Sequence, residues 1–282
     1  MTVSPTGHAT GGAGAVPDEI FLSGLGGGMA GTANVIMQLA WPAIGYGVVE
    51  SKVDSGAVMK HPVKRARTTF TFLAVALLGN DDDRQAYREA VNTSHRLVRS
   101  GPDSPVRYNA FDPDLQLWVA ACLYWGTVDI IERMYGPLDD DAADRLYQHC
   151  AYFGTTLQVP REMWPPDRHA FAAYWEEGLA KVSIDDTVRA YLRGLADLVF
   201  LPRPLQLAFG PFNRFVTAGF LPPLFREQMG FAWSESDQRR FDLLLRVAGR
   251  IDRLTPRLVA EFPFNALLAD MRRRRRRGRP LV

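Results

Sequence analysis

His95 is the histidine whose neighbours could support chemistry. Counted along a helix, Tyr87, Val91, His95 and Val98 are spaced by four, four and three residues and share one face. Ala90 and Leu97 widen the apolar surface beside them, and Arg99 stands one turn past the imidazole. An imidazole on an apolar stripe with a guanidinium one turn away suits an iron porphyrin. The ring nitrogen would be the axial ligand, the stripe would contact the macrocycle, and the arginine could pair with a propionate. The same spacing also describes a core histidine that meets a backbone carbonyl, and this helix alone favours that plainer reading.

A second segment carries the complementary groups. Lys64, Arg67 and Thr68 stand at i, i+3 and i+4, and Thr71 and Val75 continue that face into an increasingly apolar half. A cation and a hydroxyl at the edge of an apolar surface could hydrogen-bond an iron-bound dioxygen. Lys60 and Arg65 lie close by, so a solvated basic face fits these spacings equally well.

Helices must position both groups. The spacing predicts a helix from Pro62 to Leu78, opened by proline and stopped by Gly79-Asn80, and another from Asp81 to Arg99. Earlier, Gly28 to Leu39 has helical periodicity, ended or kinked by Pro42. Asp112 caps a long apolar helix opened by Pro113 and closed at Gly136-Pro137. Further helices are expected near 139–153, 166–180, 185–200, 204–216, 221–229, 235–254 and 263–271. Sustained alternation and Asn-Gly or Asp-Gly hairpins are missing, so the expected fold is all-α: a single multi-helix domain over residues 18–270. Residues 1–17, rich in Gly, Ala and Thr, and the Arg-rich segment 271–282 are expected to be disordered.

Composition narrows the function classes. The chain has 282 residues, 47% hydrophobic and 23% charged, as in a globular protein with a substantial core. Its net charge of +2 conceals an asymmetry: seven of 33 basic residues lie between Arg272 and Arg279, leaving 26 against 31 acidic residues elsewhere. An acidic body argues against a nucleic-acid-binding domain, while the tail could touch phosphates or anionic lipid. Two cysteines cannot form a disulfide framework, and no secretory signal or membrane-spanning run is visible. A cytoplasmic protein is expected, with peripheral membrane contact through the tail as an option.

Several signatures fail. Gly26, Gly28 and Gly31 spell G-x-G-x-x-G, with Glu50 about twenty residues on. The dinucleotide reading needs a strand before them, and only Ile20, Phe21 and Leu22 precede as an apolar run, so a glycine-rich turn entering a closely packed helix is the better reading. There is no nucleophile elbow, no H-E-x-x-H and no P-loop. His149-Cys150 has no second ligand pair for zinc, and His8, His61, His149 and His169 read as surface or satisfied histidines.

Taken in order, the segments resemble the MpaB/rubber-oxygenase family, which includes the latex clearing proteins. The matching residues are Gly26-Gly27-Gly28 leading to Leu39-Ala40-Trp41-Pro42, then Lys64-Arg65-Ala66-Arg67-Thr68 and His95-Arg96-Leu97-Val98-Arg99. Asp112-Pro113 with Leu117-Trp118-Val119 and Gly219-Phe220-Leu221-Pro222-Pro223 complete the set, over roughly residues 24–255. The resemblance implies an all-helical fold holding haem b, with His95 as the iron ligand and Val91, Val98 and Arg99 around the cofactor. It also implies that Lys64, Arg67 and Thr68 form the basic-plus-threonine motif across the pocket. Glu50 is a candidate for proton handling by the same analogy; a solvated surface glutamate is the alternative. Trp41 and Ala120 stand where many members have histidine, which leaves the implied ligand intact and puts substrate and reaction in doubt.

The function expected is a haem-dependent oxygenase using dioxygen on a lipophilic, isoprenoid or alkene-bearing substrate. Oxidative cleavage of a carbon–carbon double bond is inherited from the resemblance, and hydroxylation fits the same residues. Two rivals differ in kind: a non-catalytic haem- or lipid-binding helical protein, and an interaction protein acting through Arg272–Arg277.

Overall fold

A computed structural model describes residues 22–51, 53 and 57–282. The expected disorder of residues 1–17 lies outside the described residues. In chain order the helices are α1 (Gly24–Leu39), α2 (Pro42–Val49), α3 (Pro62–Leu78), α4 (Asp81–His95), α5 (Pro113–Tyr135), α6 (Asp140–Cys150) and α7 (Tyr152–Thr155). They continue as α8 (Arg168–Leu179), α9 (Asp186–Ala196), α10 (Arg203–Phe220), α11 (Pro223–Met229), α12 (Glu235–Leu254), α13 (Arg257–Ala260) and α14 (Phe264–Arg276). The extended structure among the described residues is one isolated antiparallel bridge between Arg99 and Asn109. The fold is all-α.

Local chemistry explains the boundaries. The Asn80 side chain accepts from the Asp83 backbone amide while Asp83 accepts from Asn80, a reciprocal cap that starts α4. Asp112 accepts from the amides of Asp114 and Leu115 at the head of α5. Helix α1 ends at Leu39, before Pro42 as expected, and Pro42 itself opens the first turn of α2, where its missing N–H costs nothing. Helix α4 ends at His95, not at Arg99. Past it the chain turns, and Val98 and Ser100 bond to the backbone of Ala110 and Tyr108.

The glycine-rich segment lies inside α1 rather than in a turn before it. A Cβ on Gly26 would sit 2.7 Å from Ile130 of α5, and one on Gly24 would sit 1.7 Å from the Phe262 carbonyl oxygen. Gly24 and Gly26 serve close packing, while Gly28 and Gly31 meet no neighbour; the motif lies within a helix with no strand before it among the described residues, which is not the dinucleotide arrangement.

One apolar cluster runs from Leu22 through Met271. At its centre Trp41, Trp118, Trp175 and Trp125 form a parallel stack, with successive ring centroids 4.6, 5.0 and 5.7 Å apart. Trp41 donates to the Gly178 carbonyl at 2.9 Å and Trp118 to the Met37 carbonyl at 3.2 Å, so these buried indole N–H groups are satisfied.

The Arg-rich segment departs from expectation. The boundary placed at 270/271 falls within α14, which packs along α3. Arg272 pairs at 2.7 Å with the buried Asp83, and Arg273 and Arg274 pair with Asp270 at 2.5 and 2.6 Å. The buried Asp83 and the partly buried Asp270 anchor the first arginines of the run to the helix and to α4; Leu281 and Val282 then pack against the core.

Candidate functional site

Helices α2, α3, α4, α5 and α9 surround a cavity of about 540 Å³. That lies within the range of small-molecule and cofactor sites, about 300–1,000 Å³. Its apolar wall includes Phe72 and Leu73 of α3, Val91 of α4, and Val119 and Leu123 of α5. The polar groups converge from α3 and α4, with Tyr191 of α9 opposite.

His95, Val91 and Val98 all line this cavity, as do Lys64 and Thr68. The turn after α4 brings Val98 back to the wall even though the helix has stopped. His95 is half-buried, with its ring 6.4 Å from that of Phe111 in an edge-to-face contact. Its Nδ1 is buried without a hydrogen-bond partner among the described residues. The carbonyl contact of the core-histidine reading is therefore not made by Nδ1. Burial first, and the Arg65 charge second, lower the imidazole from its ordinary value to about 4. The ring is neutral at physiological pH, the state required of a metal ligand.

Helix α3 is rotated relative to the expected face. Arg65, Thr68, Thr69 and Phe72 point into the cavity, with Lys64 at the edge of that face. Arg67 turns away toward Asp270 of α14, 3.8 Å distant. Thr71 and Val75 are buried on the same far side of the helix. The Thr68 hydroxyl donates to the Lys64 carbonyl at 2.9 Å, so its proton is committed to the backbone and its lone pairs remain. The donors free to meet a bound molecule from α3 are thus Lys64, Arg65 and the Thr69 hydroxyl.

Arg65 is the residue the sequence reading left in the background. Its side chain opens to the cavity and is exposed there, while the protein mass packed around that cavity lowers the guanidinium from its ordinary value by desolvation. No carboxylate pairs with it among the described residues, although Tyr87 and Tyr191 stand near it. A guanidinium stays charged in such a place and recruits an anion, best a carboxylate in bidentate contact. The signal was in the spacing: residues 65, 68, 69 and 72 are as good a helical face as 64, 67, 68 and 71.

Two expected residues stand outside the cavity wall. Arg99 is exposed and belongs to the bridge with Asn109, because α4 does not continue to place it above His95. Glu50 caps the end of α2, and its carboxylate accepts the Tyr108 hydroxyl at 2.9 Å while Val49 and Ser51 face the cavity. Burial and this carboxylate push Tyr108 up to about 12. Elsewhere His149 is satisfied by the Leu77 carbonyl at 2.8 Å, and Cys122 and Cys150 are buried thiols raised by desolvation.

The arrangement defines a helical protein whose cavity joins a neutral imidazole, its Nδ1 without a partner among the described residues, to two cations across an apolar floor. The family described as "ER-bound oxygenase mpaB/B'/Rubber oxygenase, catalytic domain" matches over residues 20–250, and the chain belongs to that family. It is also similar to Uncharacterized protein Rv2237 of Mycobacterium tuberculosis and Uncharacterized protein Mb2261 of Mycobacterium bovis. Each is 57% identical over 250 residues, covering 89% of this chain and 98% of the relative. No solved structure matches the chain. Among the described residues no helix is long and apolar enough to cross a membrane.

Proposed function

We propose that the chain is a haem b-dependent oxygenase that takes a lipophilic, isoprenoid or alkene-bearing substrate and oxidises it with dioxygen, by cleavage of a carbon–carbon double bond or by hydroxylation. The observation that carries the reading is the unpartnered Nδ1 of His95 at the wall of a 540 Å³ cavity, in a member of an oxygenase family.

The residues present fit the cofactor. A haem site would need a neutral nitrogen ligand, an apolar slot and cations for two propionates. His95 offers the neutral imidazole, Phe72, Leu73, Val91, Val119 and Leu123 offer the slot, and Arg65 and Lys64 offer the cations. When bound, haem b supplies the iron chemistry by which dioxygen oxidises the substrate.

The chain's own residues do the rest. The Arg65 guanidinium is placed to hold an anionic group at the cavity wall, and its charge adds to burial, the larger cause, in keeping His95 deprotonated. Lys64 sits at the rim of the same face, where its ammonium can donate to an oxygen atom that gains charge. The aliphatic and aromatic floor excludes water, which strengthens each of these contacts. Tyr87 donates to the Thr68 carbonyl at 2.8 Å and so fixes α4 against α3, holding imidazole and cations in one frame.

The visible spectrum of the purified chain, with a pyridine haemochrome assay, tests this beside His95→Ala. A Soret band at near-stoichiometric haem, lost or shifted in the variant, is expected, followed by oxidised products from alkene substrates. A protein that stays colourless after haem addition overturns the reading. Stoichiometric haem without product from any alkene leaves a haem-binding protein in its place.

A further inference from the structure

Helix α12 is apolar on two sides. Phe241, Leu245 and Ala248 are buried in the core, where the helix packs on α5. On the outer side Leu243, Val247, Ile251 and Leu254 are spaced by four, four and three residues, and all are exposed, Leu254 to 87%. An ordinary surface helix keeps a polar outer face, so this second stripe is unpartnered. The exposed apolar surface continues along the chain at Leu258 and Phe262, at 75% and 63% exposure.

Arginines flank the outer stripe. Arg239, Arg246, Arg250 and Arg253 follow one another down one side of it, and all are exposed. Arg239 is paired with Glu235 at 3.6 Å, and Arg253 donates to the Tyr135 carbonyl. Arg246 reaches a backbone carbonyl of its own helix at 3.3 Å, and Arg250 meets no acidic group among the described residues. Past Asp242 the helix has one carboxylate, Asp252, which is buried and takes the Tyr135 hydroxyl. The outer face from Leu243 onward is therefore purely apolar and cationic.

We infer that this face of α12, continued through α13, docks on an anionic lipid surface. Aliphatic side chains beside arginines are the composition that lies in a bilayer interface, the apolar stripe among the acyl chains and the guanidinium groups at the phosphates. A second copy of the chain is the poorer occupant. A two-fold contact would set Arg246 and Arg250 of one copy beside those of the other, with no carboxylate on the face to meet them. The face is a helix surface rather than a cleft, and the central cavity does not reach it, which disfavours an inserted peptide. The inference stands apart from the haem reading, since it uses none of the cavity residues. It also differs from contact through the Arg-rich segment, where Arg272, Arg273 and Arg274 are already held by Asp83 and Asp270.

Co-sedimentation of the full chain with vesicles tests it, using phosphatidylcholine alone and phosphatidylcholine mixed with phosphatidylglycerol. Binding to the mixed vesicles that falls with added salt is expected. Arg246→Gln with Arg250→Gln should weaken it about thirtyfold, and Leu243→Ser with Leu254→Ser at least as much. Arg276→Gln with Arg277→Gln should leave it unchanged. All these residues are exposed, and circular dichroism of each variant confirms its fold. Three results overturn the inference: no binding to the mixed vesicles, loss of binding in the Arg276/Arg277 variant alone, or self-association of the native chain that the leucine variant abolishes.

Discussion

Helix α5 borders two unlike neighbourhoods. Trp118 enters the stack of four tryptophans, where the space is filled and the indole N–H groups of Trp41 and Trp118 are satisfied. The next residue, Val119, and Leu123 one turn on face the cavity, where among the described residues the buried imidazole Nδ1 has no hydrogen-bond partner and the exposed Arg65 guanidinium no carboxylate. The same helix thus supports a region built for stability and one that leaves polar groups waiting. Unsatisfied groups in a native interior cost free energy and persist where function uses them. The filled region offsets the cost of the open one.

Replacement of Trp118 by Ala should break the comparison most severely. It empties the middle of the stack and frees the Met37 carbonyl, and a loss of about 4 kcal/mol is expected in urea unfolding. Acid comes next. The folded His95 titrates near 4 against an ordinary 6.5, so between those values the unfolded chain binds the extra proton. Stability from this group should be complete above pH 6.5 and decline as pH falls toward 4, by about 3 kcal/mol. Denaturation midpoints across that window, compared with His95→Ala, isolate the slope. The smallest effect has an informative sign: Arg65→Gln should stabilise the ligand-free chain by about 1 kcal/mol or less, since water in the cavity screens the charge. The same change should raise the His95 titration in an NMR series, because the Arg65 charge helps hold it down. A destabilised Arg65→Gln protein would mean that the cation is structural.

Much of the architecture was legible in the sequence. Asn80 with Asp83, Asp112 before Pro113, and Pro62 after His61 are local signals: side-chain hydrogen bonds mark the first two helix starts, and the fixed backbone of proline marks the third. The stripe Tyr87, Val91, His95 was legible too, because α4 is polar elsewhere and has one apolar side. The facing of α3 was not. Both 64/67/68/71 and 65/68/69/72 are helical faces, and the choice is made by Asp270, some two hundred residues away, which draws Arg67 to α14. The arginine run was misread in part for the same reason: Asp83, which holds Arg272, is brought there only by the fold, whereas Asp270, three and four residues before Arg273 and Arg274, was a local signal left unused. Arg99 slipped from the expected site because the backbone pairing of Val98 and Ser100 ends the helix early, a competition that periodicity does not register.

The tryptophan stack also gives the molecule an optical identity. Four near-parallel indoles with successive centroids 4.6, 5.0 and 5.7 Å apart are coupled transition dipoles, and an absorbed photon belongs to the group rather than to one ring. The folded chain therefore carries its own chromophore, an exciton signal in circular dichroism that exists only while the helices holding those rings remain in register.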